Sequence, residues 1–197
     1  MLNHIRPAVV MIALFTGVLG VAYPFAVTGV AQTVFHDQAD GSLVRDKAGK
    51  VVGSALLGQS FSQPGYLHPR PSAAGDGYDA SASSGSNLGP LNPDLIARVK
   101  ADADALRVEA GASAAIPADA VTTSASGLDP HISPAYAELQ VARIASARGV
   151  GEAQVRDVIR QQVEGRTFGV LGQPRVNVLL TNRALDARFG RLAAEGG

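Results

Sequence analysis

Residues 7–35, PAVVMIALFTGVLGVAYPFAVTGVAQTVF, contain no charged side chain. A helix needs about 20 apolar residues to cross the hydrocarbon core of a bilayer, and this run is longer. The apolar core of a signal peptide has only about 7–15 residues, although residues 29–31 before Gln32 resemble a cleavage site. The sequence therefore predicts a retained transmembrane helix over residues 7–35, with a cleaved signal peptide as the alternative.

Small side chains recur along this segment. Ala13 and Gly17 are four positions apart, and Gly20 and Ala22 follow them. In lipid, small residues let two helix backbones approach closely, and that packing drives association. We therefore predict that these four residues contact a partner helix; the alternative is an isolated anchor with incidental small residues. Pro24 is expected to bend the helix or to end its first regular part.

The anchor divides the chain into three predicted parts. Residues 1–6 form a short cytoplasmic N-terminus, residues 7–35 the transmembrane helix and residues 36–197 one compact α+β domain. Charge counts on the two sides of the helix do not fix its orientation. Because Asp37 and Asp40 follow the helix closely, and because long domains translocate despite their charges, we expect an extracytoplasmic domain.

Periodicity and turn residues predict the elements of the domain. Strands are predicted at residues 43–45 and 51–57, joined as a hairpin, and a Gly- and Pro-rich stretch at 62–93 predicts a long ordered loop. We expect three helices, one capped by Asn92, one capped by Ser133 and one that carries the apolar side chains from Val155 to Val163. The last expected elements are a strand over residues 175–182 and a short final helix that begins with residues 185–189.

Composition excludes several classes of function. The formal net charge is zero and the basic residues are not clustered, which argues against a nucleic-acid surface. The absence of cysteine excludes disulfides, iron–sulfur clusters and thiolate metal sites.

Two polar segments raise the question of catalysis or ligand binding. SGLDPHISPAYAELQ, residues 126–140, brings Ser126, Asp129, His131 and Ser133 close in sequence. A catalytic triad needs a specific three-dimensional geometry, and no Gly-x-Ser-x-Gly elbow is present, so we interpret the segment as a turn and a capped helix. Ser126, Asp129 and His131 are then candidates for partner contact, and an anchored hydrolase that uses Ser126 or Ser133 with His131 is the alternative.

The second polar segment is SSGSN, residues 83–87. Its backbone amides could cradle a phosphate, with Ser84, Gly85, Ser86 and Asn87 as the binding residues. It is not a P-loop, because no Gly-Lys-Ser/Thr opens a helix after it. Turn chemistry without a ligand is the alternative.

The chain resembles the KdpC family, the C subunit of the Kdp potassium-transporting P-type ATPase. The resemblance runs essentially from end to end, through the anchor and a series of motifs in one order. These motifs are GSALLGQSF (53–61), RPSA (70–73), SGSNLGPLNP (84–93), SGLDPHISPAYAELQVARIASARG (126–149) and GQPRVNVLLTN (172–182). The family commonly has Ser-Gly-Gly-Ser-Asn in the loop, and Ser84 here replaces the first of those glycines.

The resemblance implies a non-catalytic, single-pass inner-membrane subunit with its domain outside the cytoplasm. Its implied partners are the potassium-channel-like subunit, the P-type ATPase subunit and a small single-helix subunit. The family is described as a catalytic chaperone that raises the ATP affinity of the pump subunit, so ATP is a possible ligand of residues 84–87. An extracytoplasmic domain would lie about 30 Å of hydrocarbon away from cytoplasmic ATP, which favours coupling through the membrane helices instead.

Overall fold

The computed structural model describes residues 4–192 and falls into two compact units, one that ends at Ser54 and one that begins at Ala55. The predicted domain begins at residue 36 and so includes a hairpin that the structure groups with the first unit. Half of the predicted N-terminal segment, residues 1–3, and the last residues of the predicted domain, 193–197, lie outside the described residues.

The first unit contains a continuous helix of 30 residues, Ile5–Val34, that is long and apolar enough to cross a membrane. It consists of α1 (Ile5–Phe15), a π-helical segment (Thr16–Ala22) and α2 (Tyr23–Val34). Pro24 lies at the start of α2. Because proline has no N–H, a helix must rearrange its hydrogen bonds nearby, and a wider π turn is one way to do so. The first regular part accordingly ends at Phe15, before the proline.

A short helix and a hairpin complete this unit. They are α3 (His36–Ala39), β1 (Leu43–Arg45) and β2 (Val51–Ser54). The Asp46 carboxylate accepts the backbone N–H groups of Ala48 and Lys50, both at 2.9 Å, and so closes the turn. The predicted second strand, 51–57, is too long, because Leu43 pairs with Ser54 and β1 offers no partner beyond it.

The second unit is an α+β fold, as predicted. Its elements are α4 (Pro93–Ala110), a 3₁₀ turn (Ala118–Ala120), β3 (His131–Ile132), α5 (Pro134–Leu139), α6 (Val141–Arg148), α7 (Glu152–Gln161), β4 (Val163–Glu164), β5 (Arg175–Asn177) and α8 (Val178–Phe189). The three strands form an antiparallel sheet in the order β3-β5-β4. The apolar faces of α5 to α8 and the central strand β5 supply most of the buried core.

Helix capping follows the sequence closely. The side chain of Asn92 accepts the N–H of Asp94 at 2.8 Å and begins α4, and the Ser133 hydroxyl accepts the N–H of Tyr136 at 3.1 Å and begins α5. Both caps confirm the prediction, because a side-chain oxygen satisfies a backbone donor that the first helical turn leaves open. The expected single helix after Ser133 is instead two helices, which are separated at Gln140.

Two predictions in the last third of the chain are wrong, and a third has the right element with too late a start. The predicted strand 175–182 is a strand only to Asn177, whose side chain accepts the N–H of Leu180 at 3.1 Å and caps α8. The final helix predicted to begin at residues 185–189 is present, but it begins earlier, at Val178. Val163, expected in a helix, lies in β4. Short apolar runs fit a strand and a buried helix equally well, and periodicity does not separate them.

The long loop of residues 62–93 is part of the packed structure. Leu67 and Ala74 are fully buried, and Tyr66 and Tyr78 are partly buried. The backbone N–H of Leu67 donates to Asn182, and that of His68 donates to Gln140, both at 2.7 Å. These contacts confirm the prediction of an ordered loop.

Candidate functional site

Two segments that the sequence predicts for different roles lie side by side. The N–H of Ser84 and the hydroxyl of Ser83 both donate to the carbonyl of Ser126, at 3.0 and 2.9 Å. The Thr123 hydroxyl donates to the Ser86 hydroxyl at 3.3 Å. We call residues 83–87 and 123–131 the paired loops. The structure therefore brings the predicted nucleotide-binding residues and the predicted partner-contact residues into one polar cluster.

Glycine allows this close approach. Gly127 has a φ of +68°, and a Cβ there would lie 2.6 Å from the Ser84 carbonyl oxygen and 2.7 Å from the Ala74 nitrogen. A Cβ on Gly85 would lie 2.9 Å from the Ala125 carbonyl oxygen. Both glycines thus have a packing role, since any side chain there would push the paired loops apart.

Arg70 joins the cluster to the long loop. Its guanidinium forms an ion pair with Asp129 at 2.9 Å and donates to the carbonyls of Thr122 and Thr123 at 3.4 and 3.3 Å. The Tyr78 hydroxyl donates to the backbone carbonyl of Arg70. One arginine thus connects the loop that carries Tyr78 to both ends of the second paired loop.

Asp129 is the centre of charge in this cluster. Its second carboxylate oxygen accepts the N–H of His131 at 3.0 Å, and the His131 ring nitrogen Nδ1 lies 3.4 Å from the same oxygen. Burial on its own would raise the pKa of Asp129, but the hydrogen bonds from His131 and the charge of Arg70 hold that pKa below its usual value. The carboxylate is therefore kept ionised and bonded to its neighbours.

Ser72 and Tyr78 tighten the same region. The Ser72 hydroxyl donates to the Gly127 carbonyl at 2.7 Å and accepts the N–H of Tyr78 at 2.9 Å. Burial raises the pKa of the Tyr78 phenol well above its usual value, so the ring stays neutral and a donor. Our sequence reasoning did not assign Arg70, Ser72 or Tyr78 to the site; the RPSA motif at 70–73 is the signal that could have found the first two.

The geometry of the serines does not form a triad with His131. The Ser126 hydroxyl accepts the N–H of Leu128 at 3.1 Å, and the Ser133 hydroxyl donates to Asp119 at 2.9 Å while it caps α5. Each hydroxyl accepts a backbone N–H, that of Ser126 in a turn and that of Ser133 at the start of a helix. Within residues 4–192, no group of three or more His, Asp or Glu side chains could hold a metal ion.

Several polar groups of the predicted phosphate-binding residues already form hydrogen bonds within the chain. The N–H of Ser84 donates to Ser126, the Ser84 hydroxyl donates to the Gly85 carbonyl at 3.0 Å, and the Ser86 hydroxyl accepts from Thr123. Asn87 has a left-handed backbone with a φ of +50°. These bonds reduce the number of donors that a phosphate could use, and nucleotide binding by Ser84, Gly85, Ser86 and Asn87 stays a prediction.

The small residues of the anchor are exposed within this chain. A Cβ on Gly17 would meet no atom within 4 Å, and one on Gly20 would meet only the Thr16 methyl carbon at 3.7 Å. Gly17, Gly20 and Ala22 lie in the π segment and Ala13 lies in α1, so their spacing does not follow a regular α-helix throughout. The backbone there is open to a neighbouring helix, and the contact itself stays a prediction.

Comparison with known proteins agrees with the motif pattern. The family model of KdpC, described as "K+-transporting ATPase, c chain", matches residues 5–187. The chain is similar to the potassium-transporting ATPase KdpC subunit of Caulobacter vibrioides (strain NA1000 / CB15N), with 65% identity over 195 residues, 99% of this chain and 98% of the relative. The subunit of the same name from Beijerinckia indica is 60% identical over 190 residues, 96% of each chain. The one from Myxococcus xanthus is 59% identical over 192 residues, 97% of this chain and 89% of the relative.

Proposed function

We propose a function on one premise, that the chain belongs to the KdpC family of K+-transporting ATPase subunits. The chain acts as a non-catalytic accessory subunit that stabilises the assembled ATPase. The observation that carries this proposal is the 30-residue apolar helix with exposed small residues, in a chain whose polar cluster is bonded internally. Internal hydrogen bonds of this kind fix the conformation of a surface. A catalytic site would instead need a nucleophile aligned with a base.

The anchor supplies the first contact with the complex. Ala13, Gly17, Gly20 and Ala22 pack against a helix of the potassium-channel-like subunit, because small side chains permit close approach in lipid. The double substitution Gly17→Leu and Gly20→Leu is expected to release the subunit from the detergent-purified complex. Gly29→Leu is the matched control, since a Cβ there also meets no atom within 4 Å. Co-purification of the double variant at the wild-type level would reject the packing.

The topology that fits this role is a single pass through the inner membrane with the domain on the extracytoplasmic side. The domain then contacts the external mouth of the channel-like subunit, and the P-type ATPase subunit and a small single-helix subunit complete the complex. The partner-contact candidates Ser126, Asp129 and His131 lie on one of the paired loops, which present a fixed shape. A reporter fused after Gly197 and assayed on each side of the membrane tests the topology; a signal from the cytoplasmic side would reject it.

The subunit also acts as a chaperone of the catalytic cycle and raises the ATP affinity of the pump subunit. Such coupling needs only two conformations of the complex that differ in their affinity for both the subunit and ATP. Removal of the subunit is then expected to raise the ATP concentration that half-saturates the ATPase. By reciprocity, ATP should strengthen retention of the subunit in the complex. Equal retention with and without ATP would reject the coupling.

Direct nucleotide binding through Ser84, Gly85, Ser86 and Asn87 is the alternative. The Ser84 N–H and the Ser86 hydroxyl already bond to the opposite loop, so fewer groups remain to bind a phosphate. This supports nucleotide binding less than it supports the accessory role. Titration of the purified full-length chain with ATP distinguishes the two. Saturable binding that Asn87→Ala weakens would support the alternative, and binding unchanged in that variant would reject this loop as the site.

A further inference from the structure

The helix α4 packs on the second unit far less than α7 and α8 do. None of its 18 residues is buried, whereas α7 buries three side chains and α8 buries five. The side chains that α4 packs against the core are Val99, Ala103 and Leu106, and all three are only partly buried. Near its end, a crevice lies between α4 and the helices α5 and α6. Because the free energy gained from apolar burial scales with the area removed from water, this contact holds α4 only weakly.

One side-chain bond joins α4 to the rest of the unit among residues 4–192. Arg143 on α6 donates to the Glu109 carboxylate near the end of α4, and we call this ion pair the latch. The other ion pairs of α4 lie within the helix itself. Arg143 is held on the core without Glu109, since it also donates to the Tyr66 carbonyl at 2.9 Å and to the Gln140 side chain. The latch can therefore break and form again without rearrangement of the core.

The chain can bend on both sides of α4. Gly89 before the helix and Gly111 after it are exposed, and a Cβ on either would meet no atom within 4 Å. Gly111 also has a φ of +105°, in the region that glycine adopts readily. Beyond these two residues the chain is fixed again, by the paired loops on one side and by the bonds of Asp119 to Ser133 on the other. Movement of the segment is thus confined to α4 and its two flanks.

A buried charge opposes the closed position, in which α4 lies on the core. The Nη1 and Nη2 atoms of Arg98 are out of contact with water, and neither has a hydrogen-bond partner among the described residues. The ion pair of Arg98 with Asp102, at 3.7 Å, is too long for a hydrogen bond. A charged group that leaves water without hydrogen bonds costs free energy, and such groups are rare in folded proteins. Rehydration of Arg98 therefore favours movement of α4 away from the core.

We propose that α4 is a flap, which swings away from the second unit as one cooperative segment between Gly89 and Gly111 while the sheet and α5 to α8 stay packed. Two groups set the population of the open state. The latch between Glu109 and Arg143 favours the closed position, and the unsatisfied guanidinium of Arg98 favours the open one. The inference concerns this chain alone and does not depend on the proposed function.

Hydrogen exchange of the purified full-length chain in detergent, read by mass spectrometry, tests the proposal. A detached helix of 18 residues is only marginally stable in water, so its amides exchange whenever the flap opens. We expect overlapping peptides within residues 93–110 to share one protection factor, at least about tenfold lower than those of α7 and α8. Equal protection of α4 and α8 would overturn the flap, and so would protection that rises gradually from the ends of α4 towards its middle.

Substitution of the latch should speed exchange of α4. Glu109→Gln removes the charge that Arg143 binds, and we expect exchange about three- to tenfold faster in α4 and unchanged in α7 and α8. Glu164→Gln is the matched control, because Glu164 is exposed to a similar degree and forms an ion pair with Arg175, away from α4. Exchange of α4 that is no faster in Glu109→Gln than in Glu164→Gln would overturn the latch.

Substitution of the buried charge should have the opposite effect. Arg98→Met keeps a long apolar side chain and removes the unsatisfied guanidinium, so we expect exchange of α4 about tenfold slower. Arg107→Met is the matched control on the same helix, since the Arg107 side chain is 45% exposed and pairs only with Asp104; it should change exchange by less than about threefold. Faster exchange in Arg98→Met, or an effect no larger than that of Arg107→Met, would overturn the role of Arg98 in opening the flap.

Discussion

The side-chain amide of Asn182 pairs with both backbone polar groups of Leu67. Its Oδ1 accepts the Leu67 N–H at 2.7 Å, and its Nδ2 donates to the Leu67 carbonyl at 3.0 Å. Gln140 does the same for the next residue, His68, at 2.7 and 3.1 Å. Two buried amides on α8 and between α5 and α6 thus replace the neighbouring strand that this extended segment lacks, and they fix the long loop on the helices.

Loss of the Asn182 amide should destabilise the second unit. In Asn182→Ala the buried N–H and carbonyl of Leu67 lose their partners, and each unsatisfied group costs about 1–3 kcal/mol. We expect the free energy of unfolding to fall by about 2–4 kcal/mol in urea unfolding of the detergent-solubilised chain, followed by tyrosine fluorescence, since the chain has four tyrosines and no tryptophan. Gln161→Ala, at an exposed position, should change it by less than about 0.5 kcal/mol. Equal effects of the two variants would contradict the role of Asn182.

Arg148 also fixes the long loop, and substitution by lysine should destabilise the second unit. The side chain is 2% exposed, pairs with Asp186 at 2.8 Å and donates to the carbonyls of Gly65 and Gly190 at 2.6 and 2.9 Å. Lysine has a single charged nitrogen and cannot reach these partners as one planar fork. We expect Arg148→Lys to lower the free energy of unfolding by about 3 kcal/mol, because the partly buried Asp186 and the carbonyl of the buried Gly65 lose bonds to the buried guanidinium.

Arg175→Lys is the matched control for Arg148. Its ion pair with Glu164 is about half exposed on each side, and solvent-exposed pairs contribute at most about 1 kcal/mol. The same urea titration measures both variants. A loss in Arg148→Lys no larger than that in Arg175→Lys would show that the buried fork is not needed.

The sequence predicts features that depend on neighbouring residues better than contacts between residues far apart in the chain. The caps at Asn92 and Ser133 are local, and these predictions hold. The apolar run of residues 7–35 is also a local signal, and the structure there has a helix long and apolar enough to cross a membrane. The pairing of Asn182 with Leu67 joins residues 115 positions apart, and no local sequence pattern predicts it. The same limit explains the strand predicted at 175–182, since a β-branched apolar run gave no sign that Asn177 would cap a helix.

The candidate site shows the same division. The polar residues of 84–87 and 126–131 could be selected from the sequence, because serine, glycine and aspartate in loops favour turns and binding sites. Their contact with each other, and the ion pair of Arg70 with Asp129, depend on how the loops cross in space. The motif pattern indicated the family. The geometry then showed that the hydroxyls of Ser84, Ser126 and Ser133 bond to the backbone, and that the Ser86 hydroxyl accepts from Thr123.

Gly127 should be the most sensitive glycine of the paired loops. In Gly127→Ala the new Cβ meets the Ser84 carbonyl oxygen at 2.6 Å and the Ala74 nitrogen at 2.7 Å, in addition to the strain of a φ of +68°. Gly149→Ala has nearly the same strain, with a φ of +64°, but no atom within 4 Å. We expect a loss of about 1 kcal/mol for Gly149→Ala, from the left-handed backbone alone, and a clearly larger loss for Gly127→Ala.

Thermal unfolding of the two alanine variants measures this difference, and their retention in the purified complex gives a second reading. If the paired loops form the contact surface, Gly127→Ala should also reduce retention, while Gly149→Ala should not. Equal melting temperatures for the two variants would show that the loops can separate without cost, contrary to the close packing that the structure shows.

Acid should weaken the second unit through His68. Burial, assisted by the positive charge of Arg143, lowers the pKa of this imidazole below 6.5, and its ring Nε2 lies 3.1 Å from the Gln63 carbonyl oxygen. On acidification the unfolded chain therefore takes up the proton first, so stability is highest above pH 6.5 and falls as the pH drops towards the lowered pKa. One such group changes the free energy of unfolding by at most about 1.4 kcal/mol per pH unit. Urea titrations of the full-length chain between pH 8 and pH 5 should show this slope in the wild type and a smaller one in His68→Gln, whereas parallel curves for the two proteins would assign the acid sensitivity to another group.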